Sequence, residues 1–160
     1  MQHAILYGEY ELSIDDKNRL LVPSDVRKSL DPQRDGDGYF LIIGMNRKPW
    51  LYPERYYEWL VSQIQPEMSP DEDIQAYDEI NFAMASKVSV DKQGRILIPD
   101  KTLRRGQIEG KELTLLGKRD HLEIWNRGEW EARHGALLTK MSEVALRVRQ
   151  QRKPSAPPQP

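Results

Sequence analysis

The chain has 160 residues, 38% of them hydrophobic and 31% charged, with no cysteine, which fits a globular protein of one domain or two small halves and excludes disulfides, thiolate zinc sites and cysteine nucleophiles. Its net charge of −1 divides unevenly, −8 over residues 1–80 and +7 over residues 81–160, as expected for a basic face meeting a polyanion, for head-to-tail self-association, or for two solvated faces of unequal sign. No apolar run approaches the roughly 20 residues that span a bilayer, and MQHAILYGEYEL lacks the basic-then-apolar layout of a secretory leader, so the expected compartment is the cytoplasm.

In chain order, Tyr10, Leu12 and Ile14 alternate with Glu9, Glu11 and Ser13, the period of a half-buried strand. A turn at DDKNR leads into the apolar triplet LLV, closed by Pro23, which suits the first turn of a short helix in PSDVRKSL. SLDPQRDGDG reads as loop. GYFLIIGM and PWLYP read as a pair of strands, and ERYYEWLVSQI as a helix. A connecting helix is expected over 67–84, starting at Ser69-Pro70 and carrying Ile74, Tyr77, Ile80, Phe82 and Met84 as its apolar stripe. The cycle then repeats: Val88 and Val90 in a strand, the turn DKQGR, the triplet ILI, Pro99, a helix in PDKTLRRG stopped by Gly106, strands in KELTLLGK and HLEIWN, and a helix in RGEWEARHGALL. From Glu129 to about Arg152 one long helix is expected, with Leu137, Met141, Val144 and Val148 on one face. The tail 153–160, KPSAPPQP, is Pro-rich and expected to be disordered.

The repeat is the main signal. DDKNRLLVP and DKQGRILIP stand 76 positions apart; the later strands match at an offset of 73, Gly44 with Gly117, Tyr52 with Trp125 and Tyr57 with Trp130. In each turn an Asp (Asp15, Asp91) and an Arg (Arg19, Arg95) flank three residues, the last of which (Asn18, Gly94) takes positive φ readily. Each Asp can accept from amides inside the turn and pair with its Arg. On the turn alone a braced hairpin is the commoner reading. The functional reading uses the same geometry: a stiff tip presents Lys17 and Arg19, or Lys92 and Arg95, and the Arg fork suits phosphate oxygens and the guanine edge.

VDKQGRILIPDKTLRRG resembles the AbrB-like swapped-hairpin DNA-binding element, and the doubled form is similar to the MraZ family over nearly the whole chain, from Tyr7-Gly8-Glu9-Tyr10 through LYPERYYEW and EIWNRGEW. The resemblance implies an α+β protein of two fused swapped-hairpin units with flanking helices, in effect a pseudo-dimer in one chain: residues 7–66, a connecting helix 67–84, and residues 85–152. It further implies a cytoplasmic, nucleoid-associated bacterial transcriptional regulator of the division and cell-wall gene cluster. Its partners would be double-stranded promoter DNA, met at repeated boxes, and copies of itself in a ring. Lys17, Arg19, Lys92 and Arg95 would contact DNA, with Asp15, Asn18, Asp91 and Gly94 bracing the tips. Asn18 departs from the family's usual glycine, and Asp16 adds a negative charge inside the first turn, so the second tip is expected to contribute more. The alternative is an antitoxin-like or scaffold module whose partner is another protein.

An enzyme, a cofactor and a metal are not expected. His3, His121 and His134 are scattered, and no nucleophile elbow, phosphate loop or dinucleotide fingerprint is present. Trp50, Trp59, Trp125 and Trp130 read as core and interface residues before they read as a base-stacking platform.

Overall fold

The structure is a computed structural model that describes residues 3–66, 68 and 71–152; the tail assigned to disorder lies outside them. It divides into two units, residues 1–127 and 128–160. The first holds β1 (Glu9–Ser13), β2 (Arg19–Leu21), α1 (Ser24–Ser29), α2 (Pro32–Asp35), β3 (Gly38–Ile43), β4 (Pro49–Pro53) and α3 (Glu54–Ser62). It continues with α4 (Glu72–Asp78), a π-helical turn (Glu79–Ala83), β5 (Ser86–Ser89), β6 (Arg95–Leu97), α5 (Asp100–Arg105), β7 (Glu112–Gly117) and β8 (Leu122–Asn126). The second holds α6 (Arg127–Thr139), which begins at the unit boundary, and α7 (Met141–Gln151).

The strands of the two repeats interleave. One antiparallel sheet has the order β1-β7-β8-β4-β3-β5, and a separate two-stranded ribbon pairs β2 with β6. β1 therefore lies on β7 of the other repeat, and β5 on β3. In the ribbon Leu20 faces Ile96, and at the centre of the sheet Trp50 faces Glu123. Both pairs match through the repeat itself, so a pseudo-twofold axis runs through them.

The register refines the sequence match. Ser13 faces Glu112 and Ser89 faces Gly38, which offsets β3 from β7 by 74 positions rather than 73. The difference is absorbed at the strand tips: Gly44 N–H bonds the Lys48 carbonyl across one tip, and Lys118 N–H bonds the His121 carbonyl across a tip one residue shorter. Gly44 and Gly117 are thus not equivalent. A Cβ on Gly44 would stand 2.0 Å from the Trp50 ring, whereas one on Gly117 would stand 2.3 Å from the backbone of Tyr7.

Period-two alternation places Tyr39, Leu41, Leu51, Leu113, Leu115, Leu122 and Ile124 on one sheet face, in one buried cluster with Leu20, Val22, Ile96 and Ile98 of the ribbon strands and the residue after each. The other face carries Phe40, Ile42, Trp50 and Tyr52, packed with Tyr56, Tyr57, Leu60 and Val61 of α3.

Three helix readings change. SLDPQRDGDG contains α2, because Asp31 accepts the Gln33 amide and Pro32 occupies the first turn. The connecting helix starts at Glu72 with Asp71 as its cap, the Asp71 carboxylate accepting the Ile74 amide, and it loosens into the π turn; Ser69 and Pro70 lie outside the described residues. The long terminal helix is broken at Lys140 (φ −100°, ψ 9°). Immediately before it the Thr139 hydroxyl bonds back to the Gly135 carbonyl, a contact that bends helices.

Candidate nucleic-acid interface

The two turns have the same wiring. Asp15 Oδ1 accepts the amides of Lys17 (2.9 Å) and Arg19 (2.8 Å), and Asp15 Oδ2 accepts Arg19 Nε (2.6 Å). Asp91 Oδ1 accepts the amides of Gln93 (2.8 Å) and Arg95 (2.9 Å), and Oδ2 accepts Arg95 Nε (3.0 Å). Both carboxyls are held below the usual range, first by the backbone N–H of the Arg, with its guanidinium adding to the effect. Asn18 and Gly94 stand at φ 59° and 80°. Because Nε is the donor spent on Asp, the terminal amino groups of each fork remain on the outer side of the brace.

The tips are also tied to each other. The Val22 amide bonds the Gly94 carbonyl and the Ile98 amide bonds the Asn18 carbonyl, both at 2.8 Å, so each positive-φ residue closes the ribbon onto the opposite repeat. Arg19 faces Leu97 and Arg95 faces Leu21 in the ladder. Leu20 and Ile96 point into the core at 1% exposure each, so alternation puts Arg19, Leu21, Arg95 and Leu97 together on the outer face. With a rise of about 3.4 Å per residue and strands about 4.8 Å apart, the two arginine Cα atoms are about 8 Å apart on a diagonal. The repeated turns thus form one composite head. Lys17 and Lys92 lie exposed within the loops.

Three residues outside the motif shape this head. Asn18 Nδ2 donates to Asp100 Oδ1 at 2.6 Å, anchoring the first tip to α5 of the other repeat. Lys111 pairs with Asp16, which sets a cation against the negative charge in the first turn. Arg27 donates through Nε to the Val22 carbonyl (2.9 Å), and its guanidinium would lie 2.7 Å from a Cβ on Gly94. Arg27 matches Leu103 in the second repeat, so the repeat pattern gave no reason to select it; Lys111 and Asp100 lie far from the first tip in sequence, and only the interleaved topology brings them to it.

A second cluster, which the scattered histidines did not announce, sits on the opposite sheet face at the pseudo-twofold axis. Glu123, 1% exposed, accepts Trp125 Nε1 (2.8 Å) and Asn46 Nδ2 (3.0 Å), lies 3.1 Å from His121 Nε2 and pairs with Lys118 at 3.7 Å. His121 Nδ1 contacts Asp120 (2.7 Å), and Asp120 accepts the Tyr56 hydroxyl (3.0 Å). The imidazole stacks on Trp50, ring centroids 4.1 Å apart. Burial alone would push His121 down, but the two carboxylates raise it above its usual value. Burial would likewise raise Glu123; hydrogen bonds from His121 and Trp125 instead hold it low. Among the described residues no group of three or more His, Cys, Asp or Glu is placed to hold a metal ion, and the chain from Tyr56 to Asn46 reads as a polar clamp at the sheet centre.

Residues 5–78 and 81–148 each match the family described as "MraZ protein, putative antitoxin-like". The chain belongs to the MraZ family. It is 30% identical to the transcriptional regulator MraZ of Clostridium tetani over 145 residues, covering 87% of this chain and 98% of the relative. It is 32% identical to that of Acetivibrio thermocellus over 144 residues, covering 90% and 96%. To that of Pediococcus pentosaceus it is 32% identical over 124 residues, covering 78% and 82%. These MraZ relatives carry the name of a transcriptional regulator and not that of an enzyme. The two family matches together run from just before β1 into α7, so the composite head and the clamp both lie within MraZ sequence.

Proposed function

We propose that this MraZ-family chain is a sequence-specific DNA-binding transcriptional regulator that reads double-stranded promoter DNA with the outer face of the β2–β6 ribbon. The reading rests on one observation: two arginines stand on one ribbon face about 8 Å apart, each held at Nε by its own aspartate. A two-stranded ribbon fits the major groove, and forks fixed at their base lose little side-chain freedom on meeting a base edge or phosphate. Arg19 and Arg95 contact bases or phosphates, Lys17 and Lys92 neutralise phosphates, and Asp15, Asn18, Asp91 and Gly94 set the tips.

One head per chain offers few contacts, so affinity comes from several copies in a closed ring engaging repeated boxes, acting as a repressor at the division and cell-wall gene cluster. The expected location is the cytoplasm, on the nucleoid; among the described residues no helix is long and apolar enough to cross a membrane. A gel shift on the promoter region of that cluster tests the assignment. Arg19→Ala with Arg95→Ala abolishes the shifted band, and Lys17→Ala with Lys92→Ala lowers the salt slope by about 0.9 for each phosphate that is no longer neutralised. Normal binding by the double arginine variant refutes the assignment. Leu21 and Leu97, 43% and 58% exposed on the same face, favour the second reading, a protein-interaction module. That reading prevails if folded, assembled protein shows no preference for promoter over random DNA.

A further inference from the structure

Each unit carries an exposed apolar surface that the ribbon does not use. In the first, a groove of about 590 Å³ opens between the outer sheet face, α3 and the α4–π segment, lined by Ile42, Tyr52, Tyr57, Leu60, Ile80 and Phe82 among others. Its far wall is fixed from below, where the Tyr57 hydroxyl donates to the Asn81 carbonyl at 3.1 Å. That wall still leaves Tyr77, Ile80 and Phe82 exposed by 62%, 42% and 44%. Exposed apolar surface gathered along one groove, and not scattered singly, marks a docking site.

The second unit supplies a matching shape. On α7, Met141, Val144, Ala145 and Val148 fall at i, i+3, i+4 and i+7, one apolar stripe, with Met141 63% and Val144 37% exposed. Charge adds direction. From Asp71 to Met84 the groove wall carries Asp71, Glu72, Asp73, Asp78 and Glu79 and no base; α7 carries Arg147 and Arg149, with Arg152 just after its end, and the single acid Glu143. The groove lining contributes Arg47 and Arg105 and no acid, so Glu143 has an answering charge as well.

The repeat accounts for the stoichiometry. A symmetric duplication would leave an equal groove on each repeat, yet the positions matching Leu60 and Val61 on α3 are Arg133 and His134 on α6. An apolar groove on one copy and an amphipathic basic helix on the next make a heterologous pair, which adds copies head to tail and stops only when the circle closes.

We propose that the groove is the docking site for α7 of a second copy of this chain: a helix-in-groove contact with Val144 seated against Phe82 and the α7 arginines against the acidic α4 wall. The proposal rests on the self-assembly part of the proposed function and names the surfaces that carry it. The absence of cysteine gives a direct test. Phe82→Cys and Val144→Cys proteins are mixed as full-length chains and oxidised, with light scattering on the wild type alongside.

The expected result is a disulfide-linked heterodimer at least ten times more abundant than the disulfide-linked homodimer of either protein alone, and a ladder of higher species from the double-cysteine chain. Arg147→Glu with Arg149→Glu should shift the protein to monomer, and Glu72→Arg with Asp73→Arg should restore assembly. Wild-type assembly without the heterodimer overturns the groove assignment and leaves the ring standing. A purely intramolecular disulfide in the double-cysteine chain overturns it in favour of a helix folded onto its own groove. A wild type monomeric at every concentration removes both the ring and this contact, while the arginine gel shift still judges DNA binding separately.

Discussion

Glu123→Ala is the sharpest test of what holds the sheet centre. The side chain is 1% exposed, on the pseudo-twofold axis opposite Trp50. Its removal takes the acceptor from Trp125 Nε1 and Asn46 Nδ2 and the partner from His121 Nε2. Trp125 and His121 are themselves 6% and 7% exposed, so water replaces the missing carboxylate poorly. An orphaned buried donor costs about 1–3 kcal/mol, and breaking a buried ionic pair from one side costs about 3–5 kcal/mol. Because the groups overlap, a total of about 3–5 kcal/mol is expected, a large share of a typical domain's stability. Urea unfolding at pH 7, followed by tryptophan fluorescence, measures it as a fall in midpoint at unchanged m. Glu131→Ala on exposed α6 is the charge-matched control and stays within about 0.5 kcal/mol. A loss below about 1 kcal/mol in Glu123→Ala would refute the clamp. The pH dependence has a fixed sign. His121 is raised in the folded protein, so the folded state holds more protons. Its contribution is complete below the ordinary histidine value and fades as pH rises through the folded value. Glu123→Gln removes one of the two raising carboxylates, brings the folded value of His121 down toward the ordinary one, and flattens that decline.

Other outcomes follow from single contacts. Leu20→Ala empties a site 1% exposed at the ribbon centre and should cost about 3 kcal/mol in the same urea experiment, with weaker DNA binding because both tips hang from that pair. Asn18→Gly removes the strain of φ 59° but also the 2.6 Å bond to Asp100; each effect is about 1 kcal/mol, so stability should change by less than about 1 kcal/mol while backbone exchange at residues 16–18 quickens. Gly44→Ala forces a methyl to within 2.0 Å of the Trp50 ring and should cost at least about 1–3 kcal/mol by thermal melt. Asp15 and Asp91 are held low in the fold, so the braces persist above the ordinary carboxylate range and fail as pH falls through their folded values. The protection of the Lys17 and Gln93 amides, relative to their intrinsic exchange rates, should fall only on that acid side.

The strands and their connecting turns were legible because period two, positive-φ residues and terminal prolines are local signals, repeated in the same order in both halves. Partner choice was not. Nothing in YELSI says that it pairs with KELTLLGK rather than with its own neighbour, and the swap of β1 onto β7 emerges only from the assembled sheet. The one-residue difference between the strand tips was hidden because Gly44 and Gly117 align by letter while serving different close approaches. The helix break at Lys140 depends on a hydroxyl bond inside a continuous helical pattern. The repeat selected Arg19 and Arg95, but Arg27, Lys111 and Asp100 reach the head through folds of the chain that carry no sequence mark. His121 looked isolated because its carboxylates lie one and two residues away, across a strand start, and gain meaning only through burial.

The interleaved sheet also sets a timetable for synthesis. β1 leaves the ribosome early, yet its partner β7, and β8 which joins β7 to the rest of the sheet, come only near the end of the unit. At about 5–20 residues per second, the stretch from Ser13 to Asn126 takes about 6–23 s. Throughout that interval the first repeat has an open strand edge and half a ribbon. The acids Glu9 and Glu11 on the exposed face of β1 are suited to that wait, since charge on an unpaired strand discourages pairing with other chains. Neither repeat can be released as a finished half, and a ribosome stalled between them would expose a nascent chain with no native sheet to join.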